Sequence, residues 1–76
     1  MDIHRLIKMA NDIGSFFEAE PDQTKAAEGI ADHLKKFWDP RMRYQISSYV
    51  NEQGGTDLKP IVLRALRQGD RKNSVA

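Results

Sequence analysis

The sequence predicts an all-α fold, a compact bundle or orthogonal array of four short helices. Three observations carry this. Apolar residues recur at i, i+3, i+4 and i+7 almost throughout. Stop and restart signals at Pro21, Asp39-Pro40 and Gly54-Gly55 cut the 76 residues into helix-sized segments. No stretch alternates apolar and polar residues as a half-buried strand would.

The first segment carries Ile3, Leu6, Ile7, Ala10, Ile13, Gly14 and Phe17 on one stripe, with Met9 and Phe16 widening one flank. Asp2 can cap its start by accepting from the free N–H groups of the first turn. Pro21 closes it, since proline lacks an N–H and disfavours helical geometry in the residue before it. Asp22 then caps a second helix with Ala27, Ile30, Ala31, Leu34, Phe37 and Trp38 on one face. Gly29 lies near the polar edge of that face and costs about 1 kcal/mol relative to alanine; it suggests close approach of another backbone, or tolerance.

Asp39-Pro40 reads as a restart, with Asp at the N-cap and Pro at the first helical position, where a missing N–H costs nothing. The third helix carries Met42, Ile46, Tyr49 and Val50 and stops at Gly54-Gly55. Thr56 or Asp57 starts a fourth helix, with Pro60 in its first turn and Leu58, Ile61, Val62, Ala65 and Leu66 inward. The expected helices span residues 3–19, 23–37, 40–53 and 58–68. Their core is expected to hold Leu6, Ile13, Phe17, Ile30, Leu34, Ile46, Val50, Val62 and Leu66. The expected organisation is a single helical domain over 1–68 and a mobile polar tail, GDRKNSVA, over 69–76.

Composition narrows the function classes. A chain this short gains only about 3–5 kcal/mol from one core unless a disulfide, metal or partner helps. With no cysteine, disulfides, iron–sulfur ligation and thiolate zinc sites are excluded. His4 and His33 have no metal-ligand spacing, so a protein surface is the remaining source of added stability. The apolar runs are too short to span a bilayer. The N-terminal MDIHRLIKMANDI lacks the features of a secretory signal, so a cytoplasmic location is the expectation. Net charge is +1, with residues 1–38 mildly acidic and residues 39–76 mildly basic.

Catalytic constellations are missing from the pattern. Ser15, Ser47 and Ser48 lie inside expected helices, and no serine sits in a glycine elbow. His33 reads as a half-buried packing residue ahead of a proton shuttle. Gly54-Gly55 lacks the spacing of a phosphate loop. The informative segment is Phe37-Trp38-Asp39-Pro40-Arg41-Met42-Arg43, which gathers the only tryptophan, a Phe, a Met and two arginines at one interhelical corner. Trp and Arg dominate binding hot spots because they offer large area with fixed geometry. The corner reads equally as a partner contact through Trp38, Arg41, Met42 and Arg43, or as a joint that Trp38 closes while the arginines stay solvated. Met9, Ile13, Phe16 and Phe17 on the first helix form a second surplus, either ordinary core or an adaptable contact, with Met9 and Phe16 as the candidate contact residues.

The strings RLIKMANDIGSFF, GIADHLKKFWDPRMR and LKPIVLRAL resemble the small delta subunit of cytoplasmic, molybdenum-containing, NAD-dependent formate dehydrogenases. The resemblance covers roughly residues 2–66 and is most specific at Phe37–Arg43. It implies a non-catalytic accessory subunit with no cofactor of its own. The large subunit of such a complex holds a molybdenum–pterin cofactor and iron–sulfur clusters, and other subunits carry flavin and bind NAD. The implied partner is that large subunit, the implied role assembly, stability or cofactor insertion, and a homodimer is an open alternative for the isolated chain. A nucleic-acid-binding or regulatory helical module using Arg41, Arg43, Lys59, Arg64 and Arg67 is the competing reading. It lacks a continuous basic stripe, so neither nucleic acid nor membrane is expected as a partner.

Overall fold

A computed structural model describes residues 2–74, with side chains through Gln68. Four helices follow one another: α1 (Ile3–Phe17), α2 (Gln23–Phe37), α3 (Pro40–Gln53) and α4 (Pro60–Ser74), and the described residues contain no strand. The all-α array expected from the periodicity is therefore the fold. The radius of gyration, 11.4 Å, is what a folded chain of this length should have, about 11 Å.

Three aspartates set three helix starts. Asp2 Oδ1 accepts from His4 N at 3.0 Å, and Asp22 Oδ1 accepts from Thr24 N at 3.0 Å and Lys25 N at 3.3 Å. Asp39 Oδ1 accepts from Met42 N at 3.0 Å, with Pro40 at the first helical position. Each such cap contributes about 0.5–2 kcal/mol. Gly54, at φ 83°, caps the end of α3 in the left-handed region that glycine enters without strain.

The start of α4 departs from expectation. Neither Thr56 nor Asp57 caps it; the chain makes a turn, with Leu58 N donating to Gly55 O at 3.0 Å, and α4 begins at Pro60. Its cap is borrowed from α1. Asn11 Oδ1 accepts from Lys59 N at 2.9 Å while Asn11 Nδ2 donates to Asp57 O at 3.0 Å. The Asp57 carboxylate instead accepts from Tyr49 Oη at 3.2 Å, tying the same turn to α3.

Two helix ends also differ. α1 stops at Phe17, two residues short of the expected 19, because Pro21 drives a turn before it in which Glu20 N donates to Phe17 O at 3.0 Å. α4 runs to Ser74 instead of 68. Gly69 weakens that stretch by about 1 kcal/mol but does not forbid it, and no proline interrupts. Of the expected mobile tail, the backbone of 69–74 belongs to α4; its side chains, with Val75 and Ala76, lie outside the described residues.

One fully buried large side chain from each helix lies at the centre: Leu6, Ile30, Ile46 and Val62. Around them Ile7, Leu34, Trp38, Val50, Leu58, Ile61 and Leu66 complete the core, with Ala10, Ala26, Ala27 and Ala65 where helices pack close. Ile13 and Phe17, expected inside, are only half-buried at its rim. The α2–α4 contact is the most extensive in the fold. Where α1 meets α4, a Cβ on Gly14 would stand 2.6 Å from Val62 Cγ2, so glycine permits this approach.

Candidate partner-binding surface

Trp38 is the C-cap of α2, and its extended backbone (ψ 138°) turns the chain so that the indole folds beneath the corner. Only 5% of it is exposed. The sequence offered Trp38 as an outward anchor or as a plug, and in this chain it is packed as the plug. Met42 is half-buried against the core, and Arg41 is exposed. Arg43 is half-buried, and its Nε is buried without a hydrogen-bond partner. Leaving such a donor unpaired costs about 1–3 kcal/mol.

Phe37, assigned by periodicity to the inner face of α2, is exposed to 72%. The apolar stripe of α2 runs one turn further than its neighbours cover it. Tyr44, in the first turn of α3, is exposed to 76%, and sequence reasoning gave it no role. It lies three residues beyond Arg41 on the outer side of α3, where such residues are neighbours.

On α1, Met9 and Ile13 are half-buried against the core, whereas Phe16 is exposed to 79%. Phe16 packs edge-on against Phe17, ring centroids 5.3 Å apart at 81°. The Phe17 ring lies over Gly29 of α2, where a Cβ would come within 2.5 Å of its Cε1. Gly29 thus makes room for an aromatic ring, not for another backbone. One turn further along α2 is His33, whose ring centroid is 4.7 Å from that of Phe37. Two ring pairs thus stand at the exposed ends of these helices, Phe16 with Phe17 on α1 and His33 with Phe37 on α2. Gly29, under the Phe17 ring, was visible in sequence only as an oddly placed glycine.

No charged side chain among the described residues is buried. The ion pairs Lys8–Asp12 (3.1 Å), Asp32–Lys36 (3.0 Å) and Glu18–Lys59 (3.1 Å) are at the surface. Such pairs are worth about 1 kcal/mol or less. Among the described residues no three of His, Cys, Asp and Glu gather into a metal-binding group, and no helix is long and apolar enough to cross a membrane. The surface that is built is apolar and aromatic, suited to contact with protein.

Residues 5–66 match the family model of the NADH-dependent formate dehydrogenase delta subunit, FdsD. The chain belongs to this family. The match takes in most of α1, all of α2 and α3, and α4 through Leu66, so the exposed phenylalanines and the corner both fall within the delta-subunit region. No curated protein and no solved structure matches the chain.

Proposed function

We propose that this delta subunit is a non-catalytic accessory subunit that docks on the large molybdenum-containing subunit of a cytoplasmic formate dehydrogenase. There it supports assembly, stability or insertion of the molybdenum cofactor. The observation that carries the reading is the family match over residues 5–66. The chemistry of the chain agrees with it. The chain has no cysteine to ligate an iron–sulfur cluster, and among the described residues no donor set for a metal is gathered. Molybdenum–pterin, iron–sulfur clusters, flavin and NAD therefore belong to the other subunits in this proposal.

The docking residues are Met9 and Phe16 on α1 with Arg41, Met42 and Arg43 at the corner, Trp38 holding that corner from within. Truncating a hot-spot side chain costs at least about 2 kcal/mol of binding, roughly thirtyfold in affinity. The test is co-expression of the complex with Phe16→Ser, Arg41→Ala or no delta subunit, followed by co-purification, molybdenum content and formate-dependent NAD reduction. We expect the complex lacking the subunit to lose molybdenum or thermal stability, and both variants to co-purify poorly while folding normally. A complex of full metal content, activity and stability without this chain would overturn the proposal. Arg41→Ala co-purifying at wild-type affinity would reduce the corner to a structural joint.

A further inference from the structure

We infer that α3 is a strap that swings open between two hinges while α1, α2 and α4 stay folded. The first ground is how little it buries. α3 sinks Ile46 and Val50 alone, whereas α1 and α2 each bury four residues and α4 buries Ile61, Val62, Ala65 and Leu66. Its half-buried positions include Arg43, Gln45, Ser47 and Ser48, polar side chains that gain little by leaving water. α3 packs chiefly on α1 and only sparingly on α4, and it has no part in the extensive α2–α4 contact. Elements with few buried apolar contacts open at lower free energy than the rest of a fold.

The second ground is what the seated position costs. Arg43 Nε is buried without a partner while α3 is in place, and a swing into water hydrates it. The third is the form of the two ends. Trp38 and Asp39 are extended before α3, at ψ 138° and 164°, and Gly54 and Gly55 follow it at φ 83° and 67°. Short connections at element ends are where a hinge absorbs its change of backbone angle. Asp39 and Gly54, the caps of α3, flank it directly, so its release takes no cap from another helix. By contrast, α1 is tied to the turn before α4 through Asn11, and Arg64 Nη2 of α4 donates to Thr24 Oγ1 of α2 at 2.8 Å. The bond that Tyr49 Oη gives Asp57 is exposed and, at 3.2 Å, long for an O–H donor. Once loose, a 14-residue helix is marginal in water and unravels, so its amides report the opening.

The inference rests on packing and not on the docking proposal, although Arg41, Met42 and Arg43 ride on this helix. Residue-resolved hydrogen exchange of the full chain tests it. The amides of residues 46–50 should be roughly tenfold less protected than those of Ile30, Leu34 and Val62, with a shallower denaturant dependence because less surface is uncovered. The Lys59 N–H, held by Asn11, should stay with the slow group. Tyr49→Phe should speed exchange in α3 about threefold, and Arg43→Met, which keeps the stem and removes the unpaired donor, should slow it about fivefold. In both variants α2 and α4 should keep their rates. Amides of α3 that share the protection and denaturant dependence of α2 and α4 overturn the inference. So do variants whose effects reach all four helices alike.

Discussion

The two flanks of α1 are finished in opposite ways. On one, Asn11 and Gly14 seal the helix to the turn before α4 and to Val62 with two hydrogen bonds and a Cβ-free contact. On the other, Met9, Ile13 and Phe16 widen the apolar stripe, and Phe16 remains 79% exposed. The polar residue is the better enclosed of the two, and the phenylalanine is in water. Met9 and Ile13 still pack against the core, so on that flank only Phe16 is left over from folding. The docking proposed above would use this exposed ring.

Substitutions should separate the flanks by size of effect. Gly14→Val should cost most, about 3 kcal/mol, because the new side chain overpacks against Val62. Thermal unfolding should show the midpoint lowered by more than about 10 °C. Survival of the wild-type midpoint would mean that α1 and α4 can part without loss. Asn11→Ala should cost about 1–3 kcal/mol, since it leaves the Lys59 N–H and the Asp57 carbonyl without their partner. Denaturant unfolding of Asn11→Asp sharpens this, because a carboxylate can still accept from Lys59 N but cannot donate to Asp57 O.

Gly29→Ala, on α2 beneath the Phe17 ring, should be nearly neutral, within about 1 kcal/mol. Gained helix propensity offsets displacement of the Phe17 ring, and a shift in the ring's NMR signals is the readout. Smallest of all, Phe16→Ser should change stability by no more than about 0.5 kcal/mol. A larger loss in circular-dichroism melts would mean the open flank belongs to the core after all.

What was legible in the sequence follows the range of the forces involved. Asp2, Asp22 and Asp39 act on N–H groups two or three residues away, so the starts of α1, α2 and α3 could be read to the residue. Asn11 acts 46 and 48 residues away, and no local pattern announces it. α4 continues past residue 68 because amphipathic spacing ceases after Leu66 while the backbone has no reason to stop. Phe37 was placed inside because periodicity reports which side of a helix is apolar, not how far the neighbouring helix reaches. Of the candidate surface, Arg41, Met42, Arg43, Met9 and Phe16 are legible in the sequence, whereas Trp38 is packed inside. The seating of the Phe17 ring over Gly29 depends on two helices meeting, and only the fold supplies it.

The borrowed cap of α4 also shapes how the chain opens. A helix capped by its own preceding residue can fray and re-form without reference to the rest of the molecule. The Lys59 N–H is satisfied only while α1 lies against the turn at residues 57–59. Its exchange with solvent hydrogen must therefore wait for α1 to leave, an event that uncovers Leu6, Ile7 and Ala10 together. The turn that leads into α4, some 46 to 48 residues from Asn11 in sequence, thus opens with α1.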